Sequence, residues 1–188
     1  MVEEACSRLA EWRRRPEAAR MRLSVNLGAR ELTHPDAVTT VLGAVNRAGL
    51  DPRALAIEVT ESTAMADSDT GFRALRELSA EGVRIAIDDF GTGYSSLGQL
   101  RHMPVDAVKV DRSFVQGMSS DPTGHELVAA VVGMGRALNL AVVAEGIETP
   151  EQAEALRDLG CHYAQGYLYA RPLPPEELEG LLGAGLPL

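Results

Sequence analysis

Six apolar stretches of this chain each give way to side chains bearing an oxygen donor, an amide or an ammonium. Asn26 closes the first stretch, Glu58 and Glu61 the second, and the adjacent pair Asp88-Asp89 the third. Lys109 and Asp111 follow on the fourth, Glu145 and Glu148 on the fifth, and Gln165 on the sixth. A lone acid before a turn is usually a cap or a solvated group. Repetition at every strand end is different, because clustered carboxylates repel one another and resist desolvation unless cations neutralise them. The pattern therefore predicts a metal centre. Its donors are all oxygens, while His34, His102, His125 and His162 fall in helical or loop stretches. Oxygen-only sites suit Mg²⁺ or Mn²⁺, with Ca²⁺ able to bind but often catalytically wrong. Two ions sharing one carboxylate edge, for which Asp88 and Asp89 are the candidates, would hold a phosphodiester and generate a hydroxide nucleophile. Lys109 and Asp111 are two apart and on a strand point to the same side. There the lysine would balance negative charge and orient the attacking water.

The elements that must position these groups alternate in type. Strands are expected at Leu23–Leu27, Ala56–Val59, Arg84–Ile87, Ala107–Val110, Ala141–Ala144 and Tyr163–Gln165. Amphipathic helices are expected at Val2–Arg13, Pro35–Arg47, Asp69–Glu81, Pro122–Leu138, Pro150–Leu159 and Pro175–Leu182. Thr149-Pro150-Glu151-Gln152 reads as a cap, a proline in the first turn and a capping-box partner. Gly49, Gly82 and Gly160 stand where left-handed helix terminators belong. Strand–helix alternation implies parallel pairing with right-handed crossovers. An open doubly wound sheet would carry a glycine-rich phosphate loop after its first strand, and Gly28-Ala29-Arg30-Glu31 is not that fingerprint. The expectation is therefore an α/β, TIM-like (β/α)8 barrel with its site at the strand C-termini, here incomplete with about six parallel strands.

Bulk composition narrows the rest. With 188 residues, 45% of them hydrophobic, the chain is long enough for one domain with a real core. Acidic residues outnumber basic ones 27 to 18, giving a formal charge of −9 and no basic stripe for polymeric nucleic acid. No apolar run approaches the ~20 residues needed to span a bilayer, so no membrane contact is expected of this segment. Cys6 and Cys161 lie far apart without metal-type spacing and read as reduced core thiols of a cytoplasmic protein.

Taken together, Ser24-Val25-Asn26-Leu27, Ile57-Glu58-Val59-Thr60-Glu61, Ala86-Ile87-Asp88-Asp89-Phe90-Gly91-Thr92-Gly93-Tyr94-Ser95-Ser96-Leu97, Val108-Lys109-Val110-Asp111-Arg112-Ser113-Phe114, Val143-Ala144-Glu145-Gly146-Ile147-Glu148-Thr149 and Gln165-Gly166-Tyr167 occur in the order found in one family. The chain resembles the EAL-domain phosphodiesterases, which hydrolyse cyclic di-GMP to linear pGpG in bacterial signalling. The resemblance implies that Asn26, Glu58 and Asp88 bind a first metal, and Asp88, Asp89 and Glu145 a second. It further implies that Lys109 and Gln165 position or polarise water and that Glu145 is the general base. Asp111 would support the site, Glu61 would brace the loop from Phe90 to Ser96, and Glu148 would be an outer acid. The family's Glu-Ala-Leu segment has no counterpart, so residues 1–188 are expected to be one EAL domain lacking its first two strands, with one ligand of the first metal missing. Exposed strand edges would then favour a homodimer, and a sensory or cyclase domain is expected upstream. The alternative is an impaired domain that serves as a cyclic di-GMP receptor or dimerisation module. Substrate-contacting residues are not assigned.

Overall fold

Short β-branched runs between amphipathic stretches satisfy their backbone groups by parallel pairing with helical crossovers. The computed structural model, which describes residues 1–65, 69–91, 97–118 and 122–184, has this form. Its first half runs α1 (Val2–Trp12), β1 (Leu23–Asn26), α2 (Ala29–Leu32), α3 (Ala37–Arg47), β2 (Leu55–Thr60), α4 (Glu61–Met65) and α5 (Asp69–Ala80). The second half runs β3 (Arg84–Phe90), α6 (Leu97–Leu100), β4 (Ala107–Val110), α7 (Arg112–Gly117), α8 (Pro122–Ala137), β5 (Ala141–Ala144), α9 (Pro150–Leu159), β6 (Tyr163–Ala164) and α10 (Pro175–Ala184). Single 3-10 turns lie at Pro16–Ala18 and Pro52–Ala54. The strands follow chain order in a six-stranded sheet. All six expected strands are present, and their ends move by a residue or more except at β4 and β5. Helices α2, α4, α6 and α7 were not expected, because one or two turns are too short to display a period of 3.6. Glu61 accordingly opens α4 instead of closing a strand.

The chain divides into two compact units, the first comprising Met1–Glu58, Ser68–Ile85 and Pro172–Leu188. Within it β1 pairs in parallel with β2, from Leu23 against Leu55 to Asn26 against Glu58. Helix α1 turns Val2, Cys6, Leu9 and Trp12 inward at spacings of three and four, against α3 and β1. Leu9 is completely buried, a placement that contributes about 1.5–3 kcal/mol. Helix α10 closes over the end of α1. Leu182 joins Trp12 and Ala18 in a small apolar cluster, and the Trp12 indole donates to the Glu179 carboxylate at 3.2 Å.

The second unit comprises Val59–Asp67 and Ala86–Arg171. In it β3, β4, β5 and β6 pair in parallel. Strand β4 lies between β3 and β5 with α8 packed against it, and it is buried along Val108, Lys109 and Val110. Both cysteines are free, Cys6 buried and Cys161 only partly so. Helix α9 begins with the expected capping box, in which Thr149 accepts from the Gln152 amide and Gln152 reaches back. It ends at Gly160 with φ +85°, and Gly49 and Gly82 likewise adopt positive φ. We expect Thr149→Ala to lower unfolding free energy by about 1 kcal/mol, read as a shift in urea midpoint at unchanged slope.

Candidate metal centre

Consecutive residues of a regular strand face opposite sides of a sheet, so Asp88 and Asp89 should not share a site. A bulge in β3 removes the obstacle. Ile87 stands opposite Val108 and Phe90 opposite Val110, with the ladder irregular between them. Two acids therefore face the single residue Lys109. Bulges re-aim side chains in this way and are common beside active sites. Asp89 takes up the extra length at φ +53°, a left-handed conformation that aspartate enters more readily than most residues. Its amide donates to the Asp88 carboxylate at 3.2 Å.

The third carboxylate comes from the end of β5. Glu145 lies one residue past the strand, yet its amide still donates to the Val110 carbonyl at 3.2 Å. The next residue, Gly146, has φ +69°, and a Cβ there would run into the Arg112 side chain. Ligand atoms of Asp88, Asp89 and Glu145 all lie within 4.8 Å of one another. Lys109 holds the group together. Its ammonium lies 2.9 Å from Asp88 and 2.6 Å from Glu145, with the lysine only 5% exposed. Burial, then the Asp88 and Asp111 charges, push the Asp89 carboxyl above its ordinary pKa, while Lys109 pulls it down. Three carboxylates against one ammonium leave excess negative charge in a partly desolvated place. This donor set, hard oxygens without histidine or cysteine, fits a divalent cation such as Mg²⁺, Mn²⁺ or Ca²⁺.

The other expected residues sort by what they touch. Asn26, at the end of β1, is the register partner of Glu58, which lies within β2 two residues before its end; the first is exposed and the second buried. Gln165 donates its amide to Ala144 at 2.8 Å and accepts from Ile147 at 3.1 Å, while its side chain is exposed. The Ile147 backbone passes where a Cβ on Gly166 would sit. Glu61, 4% exposed, accepts from the Gly91 amide at 2.9 Å, whereas Thr92 to Ser96, the rest of the loop it was expected to brace, lie outside the described residues. Glu148 accepts from the Gln116 side chain at 3.3 Å.

Asp111 departs from the expected strand position. Strand β4 ends at Val110, and Asp111 caps α7 by accepting from the Ser113 amide at 3.0 Å and from its hydroxyl. The Asp-x-Ser spacing was the available signal for this cap. Lys109 also had an unused signal. It is the chain's only lysine among 18 basic residues, and a compact ammonium reaches two carboxylates where a planar guanidinium would not fit as a point charge.

A family model for the EAL domain matches residues 1–172. The chain is 45% identical over 178 residues to the bifunctional diguanylate cyclase/cyclic di-GMP phosphodiesterase MucR of Pseudomonas aeruginosa, covering 95% of this chain and 26% of that protein. It thus spans about a quarter of the length of the curated relatives it matches. The solved MucR phosphodiesterase in complex with c-di-GMP superimposes with a TM-score of 0.88 at 45% identity, over 94% of this chain and 71% of that one. The BlrP1 manganese/cy-diGMP complex of Klebsiella pneumoniae gives 0.81 at 36% identity, over 90% and 42%. These similarities assign the parallel α/β fold to the TIM-like barrel class.

Removing the ammonium while keeping the chain's bulk leaves two desolvated carboxylates uncompensated. Lys109→Met is therefore expected to cost about 3 kcal/mol of stability in metal-free buffer, measured by urea unfolding. A second expectation concerns Asp111. Burial raises its carboxyl, but hydrogen bonds from Ser113 and the nearby Arg112 outweigh this and hold it below the usual range. A depressed acid stabilises the fold above its unfolded pKa of about 3.9 and loses that contribution as pH falls through the folded value. Acid unfolding monitored by circular dichroism should accordingly show a shallower acid limb in Asp111→Asn.

Proposed function

Because the chain belongs to the EAL domain family, we propose that it hydrolyses cyclic di-GMP to linear pGpG in a Mg²⁺- or Mn²⁺-dependent reaction at the Asp88–Asp89–Glu145 centre. The observation that carries the reading is Lys109 between Asp88 and Glu145, beside a third carboxylate made available by the bulge. The c-di-GMP complex of the MucR phosphodiesterase and the manganese and calcium complexes of BlrP1 with cy-diGMP support the substrate and the divalent ions.

In this reading Asp88, Asp89 and Glu145 would hold one ion, and Asn26 and Glu58, with Asp88, would supply donors for another. Bound ions of this kind neutralise phosphodiester charge and make water more acidic. Lys109 fixes the Asp88 and Glu145 carboxylates in place and donates towards the attacking water. The Glu145 carboxylate accepts that water's proton, and the Gln165 side-chain amide orients the water. Since pGpG carries a 5′-phosphate, the bond that breaks is the one from phosphorus to the 3′ oxygen, which leaves as a hydroxyl after gaining a proton. Ca²⁺, with its looser coordination, would be expected to bind these oxygens and inhibit the reaction. Control by an attached sensory or cyclase domain, as the names of MucR and the Escherichia coli oxygen sensor DosP suggest, belongs to the same proposal, and so does homodimerisation through exposed strand edges. No helix among the described residues is long and apolar enough to cross a membrane.

Chromatographic assay of the chain with cyclic di-GMP should show pGpG forming with Mn²⁺ or Mg²⁺ and none with chelator. Glu145→Gln is expected to reduce the rate by at least about 100-fold, the usual contribution of a positioned base. Tight binding of the dinucleotide without product in Mn²⁺ would overturn the enzymatic reading in favour of a receptor.

A further inference from the structure

The first unit carries a second charged feature, at the other end of β1 from Asn26 and of opposite sign. Arg13, Arg20, Arg22 and Arg53 line a hollow of about 230 Å³, together with Ala54 and the single carboxylate Asp51. Each arginine is mounted on fixed backbone. Arg13 caps α1 and donates its Nε to the Ala19 carbonyl at 2.9 Å. Arg20 and Arg22 flank Met21, whose side chain packs against the Trp12–Ala18–Leu182 cluster. Arg53 sits in the Pro52–Ala54 turn, where its amide donates to Asp51 at 2.9 Å.

Arg20, Arg22 and Arg53 are exposed and Arg13 is half-buried, and two facts mark the group out. The chain has a formal charge of −9, so four cations meeting around one acid run against its overall balance. Moreover, none of the four forms an ion pair among the described residues, whereas Arg8, Arg15, Arg47 and Arg73 all do. Like charges held together without partners repel one another, and an anion between them relieves that repulsion. Guanidinium groups present forked donors that match phosphoryl oxygens two at a time. Pockets for drug-sized ligands measure roughly 300–1,000 Å³, so this hollow suits one anionic group. Next to it, sharing Arg13 and Asp51, a space of about 320 Å³ is lined by Ala10, Arg14, Ala48, Gly49 and Leu50.

We propose that the Arg13–Arg20–Arg22–Arg53 hollow binds the phosphoryl group of a small phosphate-bearing anion, with any remainder of the ligand in the adjoining space. The site is independent of the acidic centre and needs no metal.

Isothermal titration calorimetry of the full chain, in EDTA and low salt, tests this with pyrophosphate, AMP and adenosine as probes. Chelation silences the metal centre, so failure here and failure of the phosphodiesterase reading are separate results. Saturable binding of pyrophosphate or AMP is expected, weakened at least tenfold in Arg22→Ala/Arg53→Ala and unchanged in Arg47→Ala, whose arginine is already paired with Glu3. Pyrophosphate alone assigns the hollow to inorganic anions, and AMP assigns it to nucleotides. Should the double variant fail to fold by circular dichroism, Arg22→Gln serves as the single substitution, with the same weakening expected. Absence of binding by both phosphate probes, adenosine binding as well as AMP, or indifference to the substitutions would overturn the proposal.

Discussion

The ammonium of Lys109 is the point from which the rest of the second unit can be understood. A charge only 5% exposed carries a desolvation cost of several kcal/mol that only close, hydrogen-bonded counter-charges offset. Here the counter-charges come from β3 and from the residue after β5, on either side of the strand that bears the lysine. Three segments must therefore stay in register for one cation to be satisfied. A slip of one residue would turn Lys109 to the opposite face of β4 and strand all three charges. Sheet register and chemical site are thus held by the same contact. Nearby close approaches serve it too, since Gly146 lets the chain turn beside Arg112 immediately after Glu145.

The bulge in β3 is the second constraint, and it follows from the first. One lysine can face two consecutive acids only if the strand that carries them has one residue too many. Positive φ at Asp89 is the local cost. Its return is a carboxylate group denser than a regular strand can present. Glu61, by holding the Gly91 amide, ties the far side of the bulge to the start of α4. Glu61, the acid just after β2, thus acts on the backbone beside the acidic group.

Much of this was legible in the amino-acid order. Period, caps and glycine terminators gave the elements, because α9 and its neighbours obey local rules that tertiary packing did not override. The members of the acidic group were legible from position alone, at the C-terminal ends of strands. Their geometry was not. Nothing in Asp88-Asp89 announces a bulge, since a regular strand and an irregular one share the same composition, and the irregularity is fixed by the pairing with β4. Asp111 illustrates a limit of a different kind. A period-two argument placed it beside Lys109, but the strand stops one residue earlier, and a local hydrogen-bonding preference for Ser113 governs the side chain. The arginine hollow was illegible for another reason. Its members lie up to 40 positions apart and gather only when α1, the Pro16–Ala18 turn and the Pro52–Ala54 turn are in place.

The chain's lone lysine has one more implication, for covalent labelling. The chain's other basic side chains are arginines and histidines, so Lys109 carries the sole ε-amine. Acylating reagents must reach that amine from solvent, and in the folded state it is ion-paired and enclosed. Modification then proceeds only through transient separation of the strand ends around it. The slow labelling of one atom thereby becomes a clock for how often the acidic end of this sheet comes apart.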